Sequence, residues 1–372
     1  MSIETTMTRA WQRQAAWLWL LLPVSWLYGF ITMARRQAYQ VGLFSSYRAP
    51  IPLMVIGNIT VGGSGKTPLI IALVTHLQKQ GIKVGVISRG YGGDSNQMPT
   101  LVRADSLPSI VGDEPCLIVN MTGAAMAVCP NRKQAITTLL NAHPDLQLII
   151  ADDGLQHYAL QRDIEWIVVD ASRGFGNQQL LPTGFLREPM SRLTGANVVY
   201  HEKADRTTKD NKQAKAKRLT MHLQADELQI LWPSAVEIDG LSVAAKTLMP
   251  PIPNGRVHAV SGIGYPQRFF DTLMALGFDV IGHAYPDHYD FSLTELLQYS
   301  ELPIIVTSKD AVKIRALLIN MSSRQPLNDE YQELVHRLWV LPVTAVLSDG
   351  CYVSLQQQLK ALNINLSKST KA

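Results

Sequence analysis

Short apolar runs recur along the chain, each followed by a stretch of helical spacing. Leu53 to Ile56 leads through glycines into Leu69-Ile70-Ile71-Ala72-Leu73-Val74, and Gly81 to Ser88 into a glycine turn. Ala124 to Cys129 precedes a helical pattern over Asn131 to Ala142, and Leu146 to Ala151 ends in Asp152-Asp153-Gly154. Ile164 to Val169 and Asn197 to Tyr200 complete the set. Strands apolar on both faces and alternating with helices predict an α/β fold, a parallel sheet with helices on both sides. Ligands in such sheets lie at the carboxyl ends of the strands, where Gly62, Ser88 and Asp152 fall.

Leu219 to Ile238 alternates instead, as antiparallel strands do, with Pro233 restricting it to an edge or bend. A second α/β pattern starts at Arg256-Val257-His258-Ala259-Val260 and continues through strands at Phe278–Gly282 and Pro303–Thr307. Leu338 to Val346 and Tyr352 to Leu355 read as closing strands. The expected division is an apolar segment over 1–36, a phosphate-loop domain over 37–235, a smaller α/β domain over 236–350, and a closing strand with polar tail over 351–372.

The N-terminal pattern is different. Ala15 to Ala34 carries no charge and holds Trp17, Trp19 and Trp26 among leucines, close to the length of a membrane span. No A-x-A cleavage site follows it, which argues against a cleaved signal peptide. Pro23, Ser25 and Gly29 interrupt a straight span, and Arg9, Arg13, Arg35 and Arg36 flank both ends without fixing an orientation. The tryptophans favour a helix lying in the membrane interface over a single span or a helix packed on the protein.

Composition narrows the classes. A chain of 372 residues, 47% apolar and 17% charged, suits two folded domains and excludes disorder. Much of the +4 net charge sits between His201 and Arg218, where seven Lys/Arg face three acids (7 − 3 = +4). That run reads as a solvated face; it lacks the interleaved aromatics on which bases stack, so no nucleic-acid partner is expected. The three cysteines share no C-x-x-C spacing and indicate a reducing, cytoplasmic setting.

The candidate chemistry centres on Thr60, Val61, Gly62, Gly63, Ser64, Gly65, Lys66 and Thr67. In a strand–loop–helix context, backbone N–H groups surround phosphate oxygens, the lysine reaches the β/γ-phosphates and the threonine hydroxyl ligates Mg²⁺. Thr60 stands where the G-x-x-x-x-G-K-[ST] pattern has its first glycine. Asp152, at the end of an apolar strand, is placed to serve Mg²⁺ or its waters. Asp113 is the candidate to accept a hydroxyl proton, His288 a partner that tunes it, and Arg187 a neutraliser of transferring phosphate.

Taken in order, Val61-Gly62-Gly63-Ser64-Gly65-Lys66-Thr67-Pro68, Ser88-Arg89-Gly90-Tyr91-Gly92, Gly112-Asp113-Glu114-Pro115, Asp152-Asp153-Gly154-Leu155-Gln156-His157, Leu186-Arg187-Glu188-Pro189, Asp287-His288 and Thr307-Ser308-Lys309-Asp310-Ala311-Val312-Lys313 resemble the tetraacyldisaccharide 4′-kinases of Gram-negative bacteria. The family's loop also lacks the first glycine, so Thr60 belongs to the pattern; Leu155 and Ser308 depart from it mildly. The resemblance implies a lipid kinase using ATP and Mg²⁺ on a tetraacylated glucosamine disaccharide 1-phosphate. Asp113 would be the base supported by His288, and Lys66, Thr67 and Asp152 would serve ATP and the metal. Arg187 and Glu188 would lie near the reacting phosphate or sugar, and Arg89, Glu114, Asp153, Gln156 and His157 near substrate. Which of Glu114, Asp152 and Asp153 ligates the metal directly stays open. The same resemblance places a monomer at the cytoplasmic face of the inner membrane. The rival reading is a membrane-associated GTPase or ATPase switch, but Glu202-Lys203-Ala204-Asp205 begins with glutamate where a guanine-reading motif has Asn or Thr.

Overall fold

The structure is a computed structural model and describes residues 3–203, 218–232, 249–299, 301–323 and 328–364. Most of the basic run between His201 and Arg218, with the end of the Glu202-to-Asp205 motif, lies outside the described residues, as does Pro233.

Two helices open the chain: α1 (Ile3–Gln12), then a 3-10 turn (Ala16–Leu21) running into α2 (Leu22–Gln40). The first sheet follows. It contains β1 (Leu53–Gly57), β2 (Val84–Ser88), β3 (Thr100–Val102), β4 (Ala125–Val128), β5 (Leu148–Asp152), β6 (Ile164–Asp170), β7 (Asn197–His201) and β8 (Leu219–Ala225). A last member, β14 (Val343–Leu347), joins from near the C-terminus, giving the order β14-β8-β7-β6-β1-β5-β2-β4-β3. From β8 to β4 all neighbours are parallel; β14 and β3 pair antiparallel at the two edges.

Every residue of β1, β2 and β5 is buried, because helices cover both faces. On one face lie α3 (Lys66–Lys79), α4 (Pro108–Val111), α5 (Asp113–Thr122) and a C-terminal helix (Asp349–Ala361), with Leu69, Leu73, Val111, Ile118, Leu355 and Leu359 in one core. On the other, α6 (Arg132–Ala142) packs Ala135, Ile136 and Leu139 against Val55, Ile87 and Ile149. Helix α6 starts cleanly because the Asn131 side chain caps the Lys133 and Gln134 amides.

The second sheet has the order β11-β10-β12-β13-β9. Its strands are β9 (Gln229–Ile230), β10 (Arg256–Ser261), β11 (Asp279–Ala284), β12 (Ile304–Thr307) and β13 (Leu338–Leu341), parallel except for β9. The helix Pro266–Ala275 covers one face through Phe269, Phe270 and Leu273, and the helix Ser308–Ser322 covers the other through Ile314 and Leu318.

Two expectations are corrected. Tyr352–Leu355 is not a strand but part of the helix Asp349–Ala361. Its buried Cys351, Leu355 and Leu359 recur every fourth residue while Val353 and Gln357 between them are exposed; a strand would put all five on one face, whereas a helix turns Val353 and Gln357 away. Sheet membership also ignores the expected borders at 236 and 350: β9 already belongs to the second sheet, and β14 returns to the first.

Candidate active site

The carboxyl ends of both sheets converge. From the first come Gly57, Ser88 and Asp152; from the second, the loops after Ser261, Ala284 and Thr307. A Cβ on Gly264 would stand 3.0 Å from Asp287 Oδ2 and 3.4 Å from the Gly63 nitrogen, so this loop comes close to the glycine turn beyond β1.

That turn is built around Gly65, which precedes α3 at φ +95°. A side chain there would be strained by the backbone and would meet Met221 Cε at 2.7 Å and His201 Nδ1 at 2.8 Å. Arg173 holds the loop from behind by donating to the Val61 carbonyl. Lys66 Nζ donates to Asn58 Oδ1 at 3.2 Å and lies 3.4 Å from Asp153 Oδ1, and Arg187 Nη1 donates to Asp153 Oδ2 at 3.0 Å. Burial opposes the charge on Asp153, but the two cations outweigh it and push the carboxyl down to about 2. Its φ of +47° is uncommon for a non-glycine residue.

Asp152 is 1% exposed. Its Oδ2 accepts a long hydrogen bond from Ser88 Oγ at 3.4 Å, and Oδ1 has no partner. Burial, and next the charge of Glu114, raise this carboxyl above the ordinary range. An under-bonded buried carboxylate is what a cation would satisfy. The Ser64 hydroxyl in the loop is likewise buried and without a partner.

Facing these groups is a second cluster. Asp113 opens α5, 3% exposed, and its Oδ1 accepts the Glu114 amide at 2.8 Å. Its Oδ2 lies 3.0 Å from His288 Nδ1, 3.3 Å from Lys313 Nζ and 3.9 Å from Lys309 Nζ. Burial works against ionisation, but the His288 hydrogen bond and the Lys309 and Lys313 charges hold Asp113 far below the usual carboxylate range. Lys309 Nζ also lies 3.3 Å from Glu114 Oε1 and 3.2 Å from Asp287 Oδ1. The Tyr91 ring meets the His288 imidazole edge-on, centroids 4.9 Å apart.

The structure thus brings Lys66, Asp153 and Arg187 together, and Asp113, Glu114 and His288 together. Gln156 and Glu188 pair with each other at 2.7 Å, while Glu188, 2% exposed, also accepts from Arg192 at 3.1 Å. Both carboxylate oxygens of Glu188 are therefore engaged in scaffold contacts. His157 is half-buried and pushed down to about 4 by burial first and then by nearby arginines, which keeps it neutral. Arg89 is exposed at the rim after β2. Lys309, Lys313 and Asp287 carry no role in the sequence motifs; the fold brings both lysines beside Asp113 and sets Asp287 against Lys309.

Helix α2 stands on the turn before Arg187. Ser25 Oγ donates to Thr183 Oγ1 at 2.8 Å, and the Tyr28 hydroxyl to the Arg187 carbonyl at 3.1 Å. Outward it shows Trp26, Leu27, Phe30 and Ile31, all more than half exposed, with Trp19 and Leu20 just before it. The segment Ala16–Gln40, whose most apolar 18 residues have a mean hydropathy of 1.5, is long and apolar enough to cross a membrane.

Residues 17–360 match the family model of the tetraacyldisaccharide-1-P 4′-kinases. A tetraacyldisaccharide 4′-kinase from Psychrobacter arcticus is 74% identical over 99% of this chain and 98% of its own. One from Ectopseudomonas mendocina is 43% identical over 85% and 90%. The fold is shared with a crystal structure of LpxK from Aquifex aeolicus in complex with ATP, with a TM-score of 0.65, 24% identity and coverage of 93% of this chain and 99% of that one.

Proposed function

The chain belongs to the tetraacyldisaccharide-1-P 4′-kinase family, and from that premise we propose how its two sheets share the reaction. It is a lipid kinase, moving the γ-phosphoryl of ATP to the 4′-hydroxyl of a tetraacylated glucosamine disaccharide 1-phosphate to give lipid IVA. The switch reading is not favoured, since family and relatives are kinases.

The observation that carries the division of roles is the pair of facing clusters, Lys66–Asp153–Arg187 on one side and Asp113–His288 on the other. The loop Thr60–Thr67 would hold the triphosphate, with Lys66 against its charge. Mg²⁺ fits the donors present: Asp152 Oδ1 lacks a partner, and Thr67 sits in the first turn of α3. Among the described residues no group of three or more metal-ligating side chains clusters, but nucleotide-bound Mg²⁺ needs only one or two protein carboxylates. Bound there, Mg²⁺ would neutralise phosphate charge. Asp113 would accept the hydroxyl proton; as phosphoryl transfer is mostly positioning and charge stabilisation, a weakly basic carboxylate suffices. Arg187 would steady the phosphate through its tie to Asp153.

The enzyme would act as a monomer. The outward face of α2 and the turn before it would lie in the inner membrane's cytoplasmic interface, bringing acyl chains beside Arg187. With γ-labelled ATP and the disaccharide lipid, label should appear on the lipid. Label found only in free phosphate would overturn the reading.

A further inference from the structure

Lys309 has no role in the reading above, yet its ammonium nitrogen sits among three acceptors within hydrogen-bond reach. These are Asp287 Oδ1 at 3.2 Å, Glu114 Oε1 at 3.3 Å and His288 Nε2 at 3.2 Å. An ammonium carries three N–H donors and no lone pair, so each neighbour must offer a lone pair to it. For the carboxylates this is no constraint. For His288 it is a strict one, because an imidazole nitrogen that accepts cannot also carry a proton.

The proton of neutral His288 must therefore reside on Nδ1, which lies 3.0 Å from Asp113 Oδ2 and donates to it. The residue is fixed in other ways too. Its backbone is at φ +58°, its amide contacts Asp287 Oδ1 at 3.0 Å and the Gly262 carbonyl at 3.2 Å, and Tyr91 flanks the ring. Lys309 is held in turn at the start of the helix Ser308–Ser322, whose first turn is capped by Thr307.

We propose that Lys309 is a positioning residue that fixes the Nδ1–H tautomer of His288, so that the imidazole keeps donating to Asp113 in the resting enzyme. Without the ammonium nothing holds the Nε2 lone pair in place: Nε2 would face Asp287 Oδ1 at 3.9 Å, and the ring could carry its one proton there instead. Two outcomes follow from that. Asp113 would then lose its imidazole donor, and the ring would be free to turn toward Asp287. The role rests on the kinase reading for its meaning, but the tautomer itself does not.

The test uses the full-length enzyme in detergent, labelled with ¹⁵N-histidine and without lipid substrate. The His288 resonances, assigned by loss in His288→Gln, should show a protonated Nδ1 and a lone-pair Nε2. In Lys309→Met the two nitrogens should read as a mixture of tautomers, and kcat should fall on the order of 10²-fold with KM for ATP little changed. Lys309→Arg, which also donates and cannot accept, should restore the tautomer and part of kcat. A wild-type spectrum with the lone pair on Nδ1 overturns the proposal even if Lys309→Met fails to fold. So does a Lys309→Met spectrum identical to wild type. Failure of lipid phosphorylation alongside the expected spectra would instead strike at the kinase reading.

Discussion

At the scale of single residues, three carboxylates of the site are held in different surroundings. Asp113 is ionised and donor-surrounded, Asp153 is paired to Lys66 and Arg187, and Asp152 is buried with an oxygen to spare. Replacing Asp113 with alanine should lower kcat by about 10²-fold or more while ATP still binds, measured by turnover and by nucleotide titration. Normal turnover in that variant would remove Asp113 from the mechanism. Below the glycine loop, His201 gives a stability prediction. It is 3% exposed, and burial first, then Arg268, push it down to about 4 from the ordinary 6.5. Above pH 6.5 neither folded nor unfolded chain is protonated here, so His201 contributes nothing. Between pH 6.5 and 4 only the unfolded chain takes the proton, so stability falls with pH, by up to about 3 kcal/mol at the lower end. Denaturant melts across that window should show the loss in wild type and a shallower loss in His201→Gln. Equal slopes would sink the assignment.

At the scale of elements, local segments were legible and assembled ones were not. The strand–glycine–helix unit over Leu53 to Lys79 reads directly because its apolar run, its turn and its lysine are contiguous. Asp113, Asp152 and His288 stood out for the same reason, as acids and a histidine at strand ends or in loops. Lys309 and Lys313 did not, because on one helix they look like an ordinary solvated i, i+4 pair. Their neighbours Asp113 and His288 come from another sheet and another loop. The C-terminal helix reads as a strand because a short apolar run fits either, and a spacing of four between Cys351, Leu355 and Leu359 suits both periods; only the exposure of Val353 and Gln357 separates them. For α2, the sequence left three placements open, and the structure shows a helix with one polar seam on the protein and a wide apolar face outward. Substituting Trp19, Trp26 and Phe30 with serine should release the enzyme from vesicles while detergent activity persists. Deleting 1–36 should cost both, since Ser25 and Tyr28 also brace the turn that carries Arg187. Full sedimentation of the serine variant with vesicles would show that this face is not the anchor.

At the scale of the whole molecule, the question is what keeps two sheets aimed at one site. The chain passes between them, from β8 to β9 and back from β13 to β14, so neither is a terminal appendage. Two side-chain anchors flank the glycine loop. On one side, Arg268 donates to Asp170 Oδ2, to Ser172 Oγ at 3.0 Å and toward His201 at 3.3 Å, and His201 lies 3.2 Å from the Ser64 carbonyl. On the other, Lys313 bridges the Tyr289 carbonyl at 2.9 Å and Asp113 at 3.3 Å. Asp170 keeps three local donors from Ser172 and Arg173 if Arg268 is lost, so Arg268→Met should cost stability only modestly, about 1–3 kcal/mol. Its larger effect should be on kcat/KM, because the second sheet would be less firmly seated over the loop. Substitutions that act independently add to within about 0.5 kcal/mol, whereas residues sharing one rigid placement couple by about 0.5–3 kcal/mol. If the anchors together seat one rigid unit, the first variant to loosen it takes most of the loss, and Arg268→Met with Lys313→Met should be milder than the sum of the singles. The cycle is read in kcat/KM with lipid acceptor and ATP. Strict additivity would mean that each anchor serves only its own neighbours, and that the alignment of the sheets comes from their backbone crossings alone.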